Sequence, residues 1–247
     1  MKKLVIYGAQ VPDTIKLIES INDNKPEWEI YGFIDDRTER QGVSFMGYPV
    51  LGTVKIVSEL VKNDDIYFFV THCSKPYNFK KNVDTLKSYN CKFANLIHPS
   101  VNLKYVKIGH GCQISEGCTV GANVEIGNFV TIRLKALICH DARIEDYSMI
   151  CPNATVGSVA VIKQGSFIGT SATVLRTKTV GEWSTVGAGA VVVKDVVKNI
   201  TVVGVPAKEL KISLFKRISK FLKRQYKKYV FKEVLTRNIS FQQKSKC

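Results

Sequence analysis

The chain has 247 residues, of which 45% are hydrophobic and 23% are charged, a balance typical of a globular protein with room for two modest domains. No apolar run approaches the roughly 20 residues that cross a bilayer, which argues against a membrane-spanning protein. The run from Leu4 to Ala9 is too short for a signal peptide, so we expect a first β-strand there and a cytoplasmic protein.

The net charge of +15 is concentrated at the end of the chain. Residues 207–247 carry 13 Lys/Arg and 2 Asp/Glu, a net +11, which leaves +4 for residues 1–206. The basic charge therefore belongs to a tail and not to the folded body. We predict no nucleic-acid partner from it.

The cysteines are odd in number, and no two of them have the spacing of a CxxC pair or a metal-ligand set. We expect reduced, mostly buried thiols, which fits a cytoplasmic location. The seven residues are Cys73, Cys91, Cys112, Cys118, Cys139, Cys151 and Cys247.

Apolar strands alternate with amphipathic helices over residues 1–97, which predicts a parallel sheet covered on both faces, as in a Rossmann-like α/β domain. The predicted strands are Leu4–Tyr7, Trp28–Ile34, Ile66–Val70 and Phe93–Ile97. The predicted helices are Pro12–Asn22, Val54–Val61 and Pro76–Ser88. His72, just after the third strand, is expected to be a polar residue at the rim of the sheet.

The carboxyl ends of these strands, where such sheets bind ligands, are the candidate substrate site. A dinucleotide loop would carry GxGxxG after the first strand, but only one glycine is present and Pro12 removes a donor amide, so a phosphate cradle is poorly supported. The two acidic residues of the site either accept hydrogen bonds from a ribose or base or form a solvated turn. The predicted substrate-binding residues are Gly8, Ala9, Gln10, Asp35 and Asp36.

An unbroken hexapeptide repeat follows. Every sixth residue from Ile108 to Val192 is Ile or Val, and the residue four later is small or β-branched in every hexad except at Lys178. A β-branched residue suits a strand in a narrow interior, and a small residue suits a bend towards it. Glycine follows seven of the Ile/Val residues, where we expect it to supply the backbone freedom of a tight turn.

This register predicts a parallel β-helix over residues 101–206. Three hexads make one triangular coil, so the fifteen hexads form five coils, each hydrogen-bonded to the next. A run of ordinary short strands would not keep one register over this length. The left-handed sense of the helix is taken from known hexapeptide-repeat proteins, because it departs from the usual right-handed crossover.

Several short motifs accompany the repeat. They are Tyr7-Gly8-Ala9, Phe33-Ile34-Asp35-Asp36, Ile97-His98-Pro99-Ser100, His140-Asp141, Val186-Gly187-Ala188-Gly189-Ala190-Val191-Val192 and Val203-Gly204-Val205-Pro206-Ala207. With the repeat they resemble the bacterial sugar acyltransferases that join a small nucleotide-binding-like domain to a hexapeptide β-helix. That family includes sialic-acid O-acetyltransferases and nucleotide-amino-sugar N-acetyltransferases.

The resemblance implies three parts of the chain: a Rossmann-like substrate-binding domain (1–97), a β-helix acyltransferase domain (98–206) and a basic amphipathic tail (207–247). It implies an acetyl-CoA-dependent acetyltransferase that modifies a hydroxyl or amino group of a sugar or nucleotide sugar, for cell-surface polysaccharide or glycan synthesis. The donor is expected in a groove between neighbouring subunits of a homotrimer.

The resemblance also assigns roles to residues of the repeat. His140 is implied as the general base and Asp141 as the acidic neighbour that keeps the imidazole basic and oriented. The implied acetyl-CoA-binding residues are Ser158, Gly169, Gly187 and Ala188.

Two other functions compete with this one. A non-catalytic scaffold is kept open by the single-glycine loop and by Met149, which stands where the family often has a second histidine. Zinc carbonic anhydrases share this β-helix but need three histidine ligands at subunit interfaces, and the repeat holds only His110 and His140. We therefore predict no metal site.

In the tail, apolar residues recur at helical spacing among Lys and Arg, which predicts a C-terminal basic helix. One interpretation places residues 211–235 on anionic lipid at the inner face of the membrane. The alternative is a helix that covers the open end of the last coil, which would otherwise invite aggregation.

Overall fold

The structure is a computed structural model that describes residues 1–72 and 76–210. Met1–Lys208 form one compact unit, and a second unit begins at Glu209. Cys73, Cys247 and the predicted basic helix over residues 211–235 lie outside the described residues. No helix in the described ranges is long and apolar enough to cross a membrane.

The first domain has the predicted alternation of strands and helices. Its strands are β1 (Lys2–Tyr7), β2 (Trp28–Ile34), β3 (Ser44–Phe45), β4 (Tyr48–Gly52) and β5 (Ile66–Val70). Its α-helices are α1 (Pro12–Asn24), α2 (Val57–Leu60) and α3 (Pro76–Lys87), and 3₁₀ turns cover Thr38–Arg40 and Val54–Ile56. The strand order is β3-β4-β2-β1-β5, parallel throughout except for the β3–β4 hairpin, which the sequence did not predict.

Two predicted elements of this domain are corrected. The helix predicted over Val54–Val61 is a 3₁₀ turn followed by the short helix α2. The predicted fourth strand Phe93–Ile97 does not complete the first sheet. Phe93 forms a single bridge to Phe68. Leu96 and Ile97 instead start a face of the β-helix, because the amides of Leu96 and His98 donate to the carbonyls of Cys112 and Ile114.

The predicted hexads form a left-handed parallel β-helix. All fifteen predicted Ile/Val residues occupy the second position of a two-residue strand. The strands are β6 (Leu96–Ile97), β7 (Lys107–Ile108), β8 (Gln113–Ile114), β9 (Thr119–Val120), β10 (Glu125–Ile126), β11 (Thr131–Ile132), β12 (Leu137–Ile138), β13 (Arg143–Ile144), β14 (Met149–Ile150), β15 (Thr155–Val156), β16 (Val161–Ile162), β17 (Phe167–Ile168), β18 (Thr173–Val174), β19 (Thr179–Val180), β20 (Thr185–Val186), β21 (Val191–Val192), β22 (Thr201–Val203) and β23 (Lys208–Glu209).

Each strand pairs with the strand one full coil later, so the coils stack in three flat faces. One face runs β7-β10-β13-β16-β19, a second runs β6-β8-β11-β14-β17-β20-β22, and the third runs β9-β12-β15-β18-β21. Inward Ile and Val fill the interior with the small residues of each bend. Only Ile108 and Val120 of the fifteen are partly exposed, because the first coils are open at their outer end.

The glycines of the repeat serve a different purpose from the one the sequence suggested. The left-handed residue of each bend is every sixth residue from Tyr105 to Gly189, and most of these are not glycine. The glycines that follow the inward Ile or Val have no positive φ. A Cβ at Gly157, for example, would lie 2.6 Å from the amide nitrogen of Arg176, so glycine there permits close stacking of coils.

The first domain packs on the β8-β11-β14 part of the second face. The outward residues Gln113, Thr131 and Met149 are buried there, whereas Lys107 and Leu137 on the other two faces are exposed. At one edge of this contact the Phe129 and Tyr147 rings stack and join the core of the first domain. The Lys87 ammonium group lies over the Phe129 ring and donates a hydrogen bond to the Tyr147 hydroxyl at 2.8 Å. The five described cysteines are free thiols.

Candidate functional site

A histidine–aspartate pair lies on the exposed bend between β12 and β13. His140 and Asp141 are adjacent, and the left-handed backbone of Asp141 (φ 58°) turns its carboxylate back towards the imidazole. The Nδ1 atom of His140 lies 2.6 Å from Oδ2 of Asp141. When Nδ1 donates to the carboxylate, the proton of a neutral imidazole is held at Nδ1, and Nε2 is left as a base.

Asn123, on the same bend one coil earlier, supports this pair. Its side-chain amide donates a hydrogen bond to Oδ1 of Asp141 at 3.3 Å. The hydrogen bonds from His140 and then from Asn123 lower the pKa of Asp141 below its usual value. Asp141 therefore stays ionised and oriented. Asn123 belongs to none of the motifs singled out in the sequence, although it stands one coil of 18 residues before Asp141.

Ser158 lies directly above His140, one coil later on the same bend. The amide of Val159 donates to the His140 carbonyl at 3.1 Å, which ties the two turns together. The Ser158 amide makes no hydrogen bond within the described chain, and Ser158 is half-buried on the bend that carries the imidazole. The structure thus brings three predicted site residues together: His140, Asp141 and Ser158.

The other predicted donor-site residues lie at a different corner. Gly187 and Ala188 follow β20 on the bend that leads to β21. Gly169 lies one coil below them and is buried, because its missing side chain makes room for the backbone of Ala188, 2.6 Å from the position of a Cβ. Ala188 is exposed, and a Cβ at the neighbouring Gly189 would meet no atom within 4 Å, so this corner offers an open surface of small residues.

The predicted substrate residues lie together at the carboxyl edge of the first sheet. Gly8 follows β1 with a φ of +106°, and its amide donates to the Ile34 carbonyl at 2.9 Å. A side chain at Gly8 would collide with the hydroxyl of Thr71, so this position requires glycine. Gln10 is exposed beside it.

Asp35 is not part of a solvated turn, because its side chain is 5% exposed. Its Oδ2 accepts from the Ala9 amide at 2.9 Å, and its two oxygens also accept from the Arg37 amide and guanidinium. Burial acts to raise the pKa of Asp35, but the hydrogen bonds from Arg37 and Ala9 outweigh it and lower the pKa to about 2. The carboxylate thus fixes the loop.

Asp36 is more open to solvent than Asp35 but also has protein partners. It accepts hydrogen bonds from the Tyr7 hydroxyl and, at 2.8 Å, from the Val54 amide. Burial, followed by the hydrogen bond to Asp36, raises the pKa of Tyr7. Asp36 therefore joins three segments at the edge where a ligand of this domain would bind.

The predicted position of His72 at the rim of the sheet is wrong. The residue is 2% exposed and is not a rim residue, because its ring packs against the Phe79 ring of α3 with 4.1 Å between centroids. Burial, followed by the charge of Arg133, lowers the pKa of His72 to about 3. Arg133 itself, which follows β11, was not singled out by the sequence pattern.

In one chain these three groups of residues lie on different parts of the β-helix. The first domain rests on the second face. His140 and Ser158 lie on the corner between the third and first faces, and Ala188 lies on the corner between the second and third faces. No three His, Cys, Asp or Glu side chains among the described residues are clustered as a metal site requires.

Comparison with known proteins gives a family match and several structural likenesses. The family model "Bacterial transferase hexapeptide (six repeats)" matches residues 104–133. A comparison with curated protein sequences gives no match.

Three solved structures illustrate the likeness. The acetyltransferase domain of PglB from Neisseria gonorrhoeae in complex with acetyl coenzyme A is 27% identical, with a TM-score of 0.73 over 85% of this chain and 99% of that chain. GDP-perosamine N-acetyl transferase from Caulobacter crescentus, in complex with CoA and GDP-perosamine, is 24% identical, with a TM-score of 0.76 over 85% of this chain and 98% of that chain. WeeI from Acinetobacter baumannii is 24% identical, with a TM-score of 0.73 over 85% of this chain and 100% of that chain.

The fold and the matched repeat define the class of hexapeptide-repeat proteins with an α/β domain before the β-helix. The resemblance predicted from the sequence is confirmed: the chain has the architecture of the hexapeptide-repeat sugar acyltransferases, and the solved structures it is similar to include a GDP-perosamine N-acetyl transferase and an acetyltransferase domain.

Proposed function

We propose that this protein is an acetyl-CoA-dependent acetyltransferase that acts on a sugar or nucleotide sugar, with His140 as general base. The observation that carries the proposal is the 2.6 Å contact between His140 Nδ1 and Asp141 on an exposed bend. It is supported by the likeness to the gonococcal PglB acetyltransferase domain, whose structure contains acetyl coenzyme A. We propose the cytoplasm as the location, which the free cysteines fit.

We propose a role for each residue of the bend. With Nδ1 held by Asp141, Nε2 of His140 takes the proton from the acceptor hydroxyl or amine as it attacks the thioester carbonyl. The protonated imidazole, stabilised by the ionised Asp141, then returns the proton to the sulfur of the leaving CoA. In this proposal the Ser158 amide donates to the acetyl oxygen as negative charge develops on it.

We propose that the complete site forms between subunits of a homotrimer. His140 and Ser158 lie on one corner of the chain, whereas the exposed Ala188 surface, which would hold the pantetheine arm, lies on another. The first domain, with Gly8 and Asp35, rests on a face that does not carry His140. A donor groove between two copies would bring these parts together.

We propose that the acetyl group is transferred to the nitrogen of an amino group on the acceptor. The gonococcal PglB and Caulobacter structures to which the chain is similar are described as an acetyltransferase domain and an N-acetyl transferase, and the latter contains GDP-perosamine. Hydroxyl transfer is the alternative, because the His140 base accepts a proton from either group. Parallel assays with amino and hydroxyl sugars of the same ring decide between them.

The test of the function is thiol release from acetyl-CoA with a panel of sugars and nucleotide sugars. His140→Ala should lower kcat by about 100-fold or more, the contribution of a general base. His98→Ala is the matched control, because His98 also pairs through Nδ1, at 2.8 Å from the Ser100 hydroxyl, but lies before the repeat. Equal activity of the wild type and His140→Ala would overturn the role of His140, and no acetyl-CoA binding by calorimetry would favour the scaffold.

A further inference from the structure

A column of residues on the β-helix runs from the candidate base to two cations. The bend between the third and first faces recurs once per coil, and its second position lies two residues after the inward Ile or Val of the third face. From the first coil to the last, this position holds Ala122, His140, Ser158, Arg176 and Lys194. The column therefore carries the imidazole in the second coil and positive charge in the last two coils.

The cations of this column are free to bind a ligand. Arg176 and Lys194 are exposed, and neither forms an ion pair or a side-chain hydrogen bond within the described chain. Lys178, the charged exception among the small residues of the repeat, is half-buried on the bend of Arg176 and is likewise unpaired there. The carboxylate on these two bends is Asp195, whose Oδ1 accepts from the Thr179 amide at 2.9 Å. Three cations thus face one acid at this end of the corner.

The other two corners of the β-helix have no cation at the equivalent position. Between the first and second faces the residues are His110, Asn128, Asp146, Gln164 and Glu182, and between the second and third faces they are Glu116, Leu134, Pro152, Thr170 and Ala188. Positive charge at this position of the bend is therefore a property of the corner that carries the candidate base.

The opposite end of the same corner does not offer unpaired charge. Lys107 and Arg143, on the first face near the first coils, both pair with Glu125, at 3.1 and 2.9 Å. Below His140, the column has one further member, the uncharged Ala122. An extended anionic ligand that passes His140 would therefore find unpaired cations by running towards the last coils.

The spacing of the column matches the length of acetyl-CoA. Successive coils are about 4.8 Å apart, so Lys194 lies three coils, or about 14 Å, along the column from His140. The pantetheine arm, from its sulfur to the diphosphate, is about as long as four extended residues, which is also about 14 Å. A thioester held at His140 and Ser158 would therefore have its phosphate groups beside Arg176 and Lys194.

We propose that Arg176, Lys178 and Lys194 bind the phosphate groups of acetyl-CoA and make the protein selective for CoA thioesters over thioesters without phosphate. The inference rests on the proposed function, because it takes the acetyl group to lie at His140. A guanidinium binds two phosphate oxygens at once, and an ammonium group binds phosphate as a point charge. The diphosphate and the 3′-phosphate of the ribose share this chemistry, and the test separates them.

The test is calorimetry on the full chain with CoA, with dephospho-CoA, which lacks the 3′-phosphate, and with pantetheine, which lacks every phosphate. We expect CoA to bind at least about tenfold more tightly than pantetheine, the value of a hydrogen bond to a charged group. Arg176→Gln and Lys194→Gln should each weaken CoA binding by about the same factor and leave pantetheine binding unchanged.

The probes also identify which phosphate each cation binds. An effect of a variant that persists with dephospho-CoA assigns the cation to the diphosphate, and an effect that disappears assigns it to the 3′-phosphate. Unchanged CoA affinity in both variants overturns the subsite. An equal loss of affinity for pantetheine overturns it as well, because pantetheine has no group for these cations to bind.

Lys198→Gln is the matched control for the loss of one positive charge. Lys198 is also exposed near the end of the β-helix, but it lies at the corner between the first and second faces, where the Asn199 amide donates to the Glu182 carbonyl at 2.9 Å. This variant should leave CoA binding unchanged, and a loss equal to that of Lys194→Gln would overturn the assignment. Thiol release from acetyl-CoA is measured separately, so that its absence with phosphate-dependent CoA binding intact counts against the proposed function alone.

Discussion

Gly121 and His140 are in contact through the backbones of successive coils. A Cβ placed on Gly121 would lie 2.6 Å from the amide nitrogen of His140 and 2.9 Å from its Cα. The amide of Gly121 donates to the Ile138 carbonyl at 2.8 Å, which holds the two coils at this spacing. The position of the imidazole therefore depends on a residue that lacks a side chain.

Gly121→Ala should displace the bend that carries His140. The added methyl group forces the coils apart, and a shift of about 1 Å at a catalytic group costs about 100-fold in kcat. Gly181→Ala is the control, because its Cβ would lie 2.5 Å from the Lys198 amide, at a corner without His140. Both variants should lose similar stability in thermal unfolding, and only Gly121→Ala should lose activity. A parallel loss of activity in both would argue against this role.

Asn123→Ala should lower kcat about tenfold with little change in KM for acetyl-CoA. The substitution removes the 3.3 Å hydrogen bond to Asp141, so the carboxylate no longer fixes the imidazole. Asn153→Ala is the control, because Asn153 has the same left-handed backbone (φ 57°) at another corner. Steady-state kinetics of both variants test the difference. Unchanged kcat in Asn123→Ala would remove Asn123 from the site.

His72→Leu should make the protein less sensitive to mild acid. The pKa of His72 is about 3 in the folded state and about 6.5 in an unfolded chain, so its contribution is present above pH 6.5 and is lost as the pH falls towards 3. Between pH 7 and pH 5 the wild type should lose about 2 kcal/mol more unfolding free energy than the variant. Denaturant unfolding across this pH range measures the gain. A pH-independent difference would contradict the buried neutral imidazole.

Arg37→Met should destabilise the first domain at neutral pH by about 3 kcal/mol, because it leaves the buried Asp35 carboxylate without its charged partner. Asp35 has a folded pKa of about 2, below 3.8, so its contribution is present above pH 3.8 and is lost as the pH falls to 2. The difference between variant and wild type should therefore shrink in acid. Adding Asp35→Asn should restore part of the stability, and a purely additive double variant would contradict the coupling.

Ile150→Ala should cost 2–5 kcal/mol, about the range for deleting a large side chain from a packed core. Ile150 is fully buried in the β-helix between Ile132 and Ile168 of the adjacent coils. Ile108→Ala, in the open first coil, should cost clearly less, because the residue is only half-buried and its site can relax. Equilibrium unfolding of both variants checks the order, and equal losses would mean that the coils do not differ in packing.

The sequence by itself determined the β-helix and the histidine–aspartate pair. The six-residue repeat is a local signal in the sequence. A β-branched residue must point into the narrow interior once per face, and this does not depend on contacts with distant parts of the chain. His140 and Asp141 are neighbours, so their pairing needed only the left-handed bend. The alternation of strands and helices likewise predicted the first sheet, apart from the β3–β4 hairpin and the strand placed at Phe93–Ile97.

The tertiary structure decided which residues support the site and where the two domains meet. The contact of Gly121 with His140 and the bond from Asn123 to Asp141 arise because stacked coils bring distant residues together. The approach of Arg133 to Asp13 depends on which face of the β-helix the first domain covers. That choice is made by packing across the whole molecule, which has no periodic signal in the chain.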